Sequence, residues 1–223
     1  MTAQMTAPLH FGGAGTASAR MGLVLVHGRG GSGADILGLG EALALPDIAL
    51  VAPDAPGRSW WPTSFLAPTA QMEPFVARGL TAIDAAITAL VEGGLARDRV
   101  ALAGFSQGGC LALEYAARKG GLAAVFGLSA GLVGTGDAKG PAAQALYGHG
   151  PKRFDYDQRL DGVPVVISVH EQDPHIPLKR AQDSAAVFEH LGADVTLQVA
   201  PGGGHGITAE NVAAMRAVLN RPS

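Results

Sequence analysis

Short, unbroken apolar runs alternate along this chain with stretches of helical periodicity, and that alternation limits the fold more than any other feature. The runs are Gly22–His27, Ile48–Ala52, Val100–Ala103, Ala123–Leu128, Val163–Val169 and Val195–Val199. A strand with one wet face alternates apolar and polar residues, whereas an unbroken run reads as a strand covered on both faces. Between the runs, Pro74 is expected to open a helix whose Val76, Leu80, Ile83, Ile87 and Leu90 keep steps of three and four. Similar helices are expected over Ala34–Leu45, Gln107–Lys119, Leu178–Leu191 and Thr208–Leu219. Repeated strand, helix, strand predicts an α/β fold: a mainly parallel sheet with helices on both faces, binding its ligand beyond the carboxyl ends of the strands.

A chain of 223 residues with no visible linker suits one domain over residues 21–223, preceded by a small-residue leader, Met1 to Arg20, that is frayed or adds an edge strand. Net charge is −3 and the 16 Lys and Arg are scattered, so no cationic face exists to displace counterions from a nucleic acid. The apolar run MGLVLV falls far short of the roughly 20 residues of a membrane span, so stable membrane insertion is not expected. Cys110 is the single cysteine, which excludes an internal disulfide and agrees with a reducing, cytoplasmic location. A homodimer is compatible with this composition. Two long irregular segments, Pro53–Ala70 and Ser129–Asp161, leave the carboxyl ends of expected strands and could wall a site.

The first βα junction, VLVHGRGGSGAD, reads G-x-G-x-x-G from Gly28 through Gly30 to Gly33, with Asp54 about twenty residues on. Those are outward signs of a dinucleotide site. In a chain with 32 glycines such a match carries little weight, and Pro53 carries Asp54 into a long loop, off the end of the strand where a ribose would be held.

Two G-x-S-x-G matches follow, GFSQG (104–108) and GLSAG (127–131). A nucleophile elbow needs a strand before its serine and a helix directly after it. GFSQG has both, while GLSAG runs into GLVGTGDAKGP, which cannot sustain a helix, so Ser106 is the expected nucleophile and Ser129 a strand-end serine. Serine needs a histidine to take its proton and a carboxylate to orient that histidine, in the chain order Ser, acid, His. Asp173 and His205 each fall in a loop just past a later strand; Glu171 competes for the acid role, and His170 and His175 flank Asp173 too closely to lie across from it. The cluster H-E-Q-D-P-H lacks helical i, i+4 histidines and a cysteine pair, and no metal is expected there. The glycine loop then reads as an oxyanion hole built from the backbone N–H groups of Arg29 and Gln107.

H-G-x-G-G-x-G with Asp35, P-D-A-P, G-F-S-Q-G-G, D-P-x-x-P around Asp173 and G-G-x-H-G-I around His205 occur in order between Gly22 and Leu219. Together they resemble the phospholipase/carboxylesterase family of α/β-hydrolases, which includes the acyl-protein thioesterases. The resemblance implies an α/β-hydrolase without a cap domain and a Ser106–Asp173–His205 triad. It also implies hydrolysis of carboxylic esters or thioesters with no cofactor, through an acyl-enzyme intermediate. Relatives hold an acyl chain in the loop after the second strand; here Trp60, Trp61 and Phe65 stand in that loop, and their bulk favours short to medium acyl or aryl esters. Arg29 is a further substrate-binding candidate, either drawing in an anionic substrate or simply solvated. The small-molecule ester is the expected partner. The alternatives are an acyl-thioesterase or lysophospholipase-like hydrolase and, in another class, a non-catalytic ligand-binding protein on the same fold.

Overall fold

The structure, a computed structural model, describes residues 7–137 and 149–221. Among them, strands β1 (Leu9–Gly13), β2 (Met21–Val26), β3 (Ile48–Pro53), β4 (Val100–Phe105), β5 (Ala124–Leu128), β6 (Pro164–Gln172) and β7 (Asp194–Gly203) form one sheet in the order β1-β3-β2-β4-β5-β6-β7. β1 runs antiparallel to β3, and the other neighbours are parallel. The helices are α1 (Gly33–Ala42), α2 (Thr69–Glu92), α3 (Gln107–Lys119), α4 (Leu178–His190) and α5 (Ala209–Leu219).

The unbroken apolar runs do what their composition requires. Along β2, Val24 and Val26 face a core shared with α2, α3 and α4, whereas Leu23 and Leu25 face a second core shared with α1 and α5. Burying each such side chain contributes about 1.5–3 kcal/mol, so a polar residue on either face would lose that contribution. α2 is long and apolar enough to span a bilayer by length and composition, but its Val76, Leu80, Ile83, Ile87 and Leu90 lie in the core against β2, β3 and α3.

Several boundaries differ from the sequence expectation. Pro74 does not open its helix. α2 starts at Thr69 because Pro68 and Thr69 are pinned to Thr135, with Thr69 N–H donating to the Thr135 carbonyl at 2.8 Å, and Pro74 is accommodated inside. α1 stops at Ala42 instead of Leu45, since Ala44 takes a positive φ of 51°. β6 and β7 run on to Gln172 and Gly203, so Asp173 follows β6 directly and His205 stands two residues past β7. Within the leader, Leu9–Gly13 is the edge strand β1, and residues 1–6 lie outside the described residues. Residues 138–148 of the second irregular segment also lie outside them; Pro53–Ala70 holds only a short 3-10 turn at Pro56–Arg58 before α2.

After β2 the chain moves to one side of the sheet, to β3; after β4 it moves to the other, to β5. The crevice between the carboxyl ends of β2 and β4 is therefore the topological switch point, where open α/β sheets bind ligands. Val26 and Gly104 are register partners there, so the glycine loop and the GFSQG turn emerge side by side.

Candidate active site

Ser106 joins β4 to α3 with φ 54° and ψ −117°, a backbone state that an L residue holds only when its surroundings enforce it. Close approach enforces it here. A methyl on Gly104 would lie 2.1 Å from the Gly108 carbonyl oxygen, and one on Gly108 would lie 2.1 Å from that of Val26, so only hydrogen fits where strand and helix cross. The turn is held by the Ser106 N–H donating to the Leu128 carbonyl at 2.9 Å.

The other two side chains converge on this serine. His205 Nε2 is 2.9 Å from Ser106 Oγ, and His205 Nδ1 is 2.9 and 3.0 Å from the two oxygens of Asp173. The Asp173 side chain is fully buried and also accepts the N–H groups of His175 and Ile176 at 2.8 and 2.9 Å. A carboxylate so held accepts the Nδ1 proton of the histidine, which leaves Nε2 as the acceptor facing the hydroxyl. Glu171, the competing acid, accepts the Gly202 N–H and brings β7 against β6 instead. His175 packs edge-on against the His205 ring with centroids 4.7 Å apart, and Phe105 lies on it at 5.3 Å. The second motif serine plays a structural part, since Ser129 Oγ donates to the Gly206 carbonyl at 3.1 Å and ties the histidine loop to the end of β5.

On the opposite side lies the glycine loop. A methyl on Gly28 would stand 3.4 Å from Ser106 Cβ, which puts the Arg29 peptide beside the serine. Among the described residues, neither the Arg29 nor the Gln107 N–H meets a protein acceptor, so both are available to an oxyanion. The dinucleotide reading has no room here. Asp54 accepts the Gly33 N–H at the start of α1 at 2.6 Å and bonds His10 at 2.8 Å, filling the helix terminus that would hold a pyrophosphate.

The cavity above Ser106 measures about 630 Å³, in the range of small-molecule sites, and Trp61, Phe65 and Arg29 line it. Trp60 does not. Its ring is 2 % exposed, its indole N–H donates to the His27 carbonyl at 2.8 Å, and it stacks on the His27 ring at 5.2 Å. Gln107 holds the main chain beneath it: its side chain accepts the Trp60 N–H and the Ser59 hydroxyl at 3.2 Å and donates to the Trp61 carbonyl at 2.8 Å. The Arg29 guanidinium donates to the carbonyls of Pro62 at 3.1 Å and Thr63 at 2.5 Å, bridging the glycine loop to the cavity wall. Sequence reading passed over Phe105, Pro62, His175 and Ile176 as wall residues; their position beside the elbow and beside Asp173 was the available signal. Cys110 also borders the cavity, but burial pushes its thiol up to about 12, so it stays a protonated, inert group.

A parallel sheet with a strained strand-to-helix serine, and an acid and histidine delivered by later strand ends, defines an α/β-hydrolase; no separate cap domain stands over the site among the described residues. The chain belongs to the phospholipase/carboxylesterase family, whose model matches residues 14–222. Among solved structures it is similar to a phospholipase/carboxylesterase from Dyadobacter fermentans, with 30 % identity, 97 % of each chain covered and a TM-score of 0.82. It is also similar to esterase PE8, at 26 % identity, 96 % of this chain and 97 % of that one, and a TM-score of 0.71. Among curated proteins it resembles acyl-protein thioesterase 1 of Gibberella zeae, 28 % identical over 135 residues. That match takes in 59 % of this chain and only about half, 51 %, of the relative's length. The family's description, phospholipase/carboxylesterase, is that of esterase-type hydrolases.

Proposed function

We propose that the protein is a serine carboxylesterase acting on short to medium acyl or aryl esters, with Ser106, His205 and Asp173 as its triad. The observation that carries this reading is the continuous hydrogen-bonded chain from Ser106 Oγ through both ring nitrogens of His205 to the buried Asp173, at the floor of the cavity. Ser106 attacks the ester carbonyl as His205 Nε2 takes its proton. The Asp173 carboxylate supports the imidazolium, and the Arg29 and Gln107 amides stabilise the oxyanion, each such donor typically contributing about 3–4 kcal/mol. The proton passes to the leaving alcohol, the acyl group stays on Ser106, and a water activated by His205 releases it.

Trp61, Pro62, Phe65, Phe105 and Ile176 give the cavity apolar walls beside Ser106, which supports compact acyl groups over long chains. A thioester reading draws support from the Gibberella zeae relative, and the same groups would perform that reaction. Ser106→Ala should lose turnover of p-nitrophenyl esters by on the order of 10⁶-fold while remaining folded. A variant that keeps its activity, or a fluorophosphonate that labels a different residue, removes Ser106 from the mechanism. A parallel panel of oxyesters and thioesters from acetyl to palmitoyl should show kcat/KM highest among the short oxyesters; a profile rising to palmitoyl thioester favours the second reading.

A further inference from the structure

We propose that His27 and Trp60 are positioning residues that aim the Arg29 amide at the reacting carbonyl. The inference rests on the serine-esterase reading above. It assigns a role to a histidine and a tryptophan that touch neither the substrate cavity nor the triad.

A trans peptide points its carbonyl and its N–H in opposite directions, and no cis peptide occurs among the described residues. Whatever holds the Gly28 carbonyl therefore sets the direction of the Arg29 N–H. Two donors hold it: His27 Nδ1 at 2.7 Å and the Gly31 N–H at 3.1 Å. His27 can donate from Nδ1 only in one tautomer, and that tautomer is selected at the other ring nitrogen, where Nε2 accepts the Ala55 N–H at 3.0 Å. The ring is 1 % exposed, and burial lowers its pKa, so it remains neutral and keeps both bonds.

Trp60 controls the preceding peptide. Its indole N–H holds the His27 carbonyl at 2.8 Å while its ring covers the imidazole. Trp60 is itself fixed at both main-chain atoms, its N–H on Gln107 Oε1 and its carbonyl on Arg78, each at 3.2 Å. The residue whose backbone supplies the second oxyanion donor thus anchors the indole that aligns the first. One amide comes from the glycine loop and the other from the first residue of α3, and a continuous chain of hydrogen bonds through Gln107, Trp60 and His27 links them. Reaction-centre displacements of about 1 Å can cost on the order of 10²-fold in rate, so this alignment matters to turnover.

The test compares His27→Val, which removes both ring bonds, with His27→Asn, whose amide nitrogen can replace Nδ1, and with Trp60→Phe, which keeps a ring and deletes the N–H. Each is assayed with p-nitrophenyl butyrate for kcat and KM, and with phenylboronic acid, whose tetrahedral serine adduct occupies the oxyanion hole. In His27→Val, kcat should fall on the order of 100-fold with KM nearly unchanged, and boronate affinity should fall with it. His27→Asn should recover most of that loss, and Trp60→Phe should fall about 10-fold in the same pattern. Folding is followed by circular dichroism and Tm; if His27→Val does not fold, Trp60→Phe carries the test. Folded variants with wild-type kcat, losses confined to KM with boronate binding intact, or equal losses in the Asn and Val variants would overturn the inference. If Ser106→Ala is inactive and these variants are fully active, only the positioning role fails. If Ser106→Ala is active, the esterase reading fails first.

Discussion

At the scale of single residues, the site is built where side chains are excluded as much as where they are supplied. Gly108 lets α3 start directly against the Val26 carbonyl. Gly108→Ala forces backbone apart from backbone and should destabilise the fold by at least about 3 kcal/mol, visible as a lower urea midpoint. A midpoint equal to wild type would mean that strand and helix do not cross as closely as described. Cys110 gives the opposite kind of prediction. With its thiol buried and its pKa raised to about 12, native protein should resist iodoacetamide and keep full activity, reacting only after unfolding. Rapid native alkylation would contradict that burial. Ser106, Asp173 and His205 were all legible in the sequence because each follows an apolar strand directly or within a few residues. Trp60 was misread for a physical reason: a loop sequence shows that a ring is present but not which side of the backbone it takes, and here the indole N–H donates to the carbonyl of His27, distant in sequence, which holds the ring inward.

At the scale of elements, the described residues 129–137 after β5 form no helix or strand beyond the Pro68–Thr135 bridge and are held from outside. Arg180 of α4 is fully buried and donates to the carbonyls of Leu132 and Gly134 at 2.6 and 2.7 Å, while Glu114 of α3 accepts the Val133 N–H and the Tyr156 hydroxyl, both at 2.8 Å. That stretch in turn pins the start of α2 through Thr135. Arg180→Leu leaves two buried carbonyls without donors and should cost about 2–4 kcal/mol, measured by urea unfolding. A cost under about 0.5 kcal/mol, the scale of an ordinary surface substitution, would show that the stretch is held by other means. None of this bracing was readable in advance. Arg180 and Glu114 look like solvent-facing helix residues, and their burial follows from a segment that covers them. The extra turns of α2 before Pro74 have the same origin, because the Thr135 anchor is a tertiary contact.

At the scale of the whole molecule, acid stability depends on groups that knit the loops around the site. Burial lowers the His27 pKa below its ordinary 6.5, so the folded protein refuses a proton that the unfolded chain accepts. The stability this group supports is intact above about pH 6.5 and declines as pH falls below it. Burial works against the charge of Asp54, but the Gly33 N–H and His10 outweigh it and hold the carboxyl below its ordinary 3.8; its contribution is lost only at more acidic pH. Unfolding free energy should therefore drop as pH falls below about 6.5, and drop less in His27→Asn. Parallel pH slopes for the two proteins would remove His27 as a source of that dependence.

By itself the sequence determined the parallel sheet, the order of its elements along the chain and the three residues, Ser106, Asp173 and His205, that the fold brings into hydrogen-bonding contact. Each of these is a local pattern: apolar runs with two buried faces, and short motifs at their ends. Only the tertiary structure decided which loop residues face the cavity, that Trp60 and His27 turn inward toward the glycine loop, and that Ser129 and Arg180 serve as ties. Those outcomes depend on hydrogen bonds between residues far apart in the chain, and the direction of a side chain in a loop is set by its partner across the fold rather than by its neighbours in sequence.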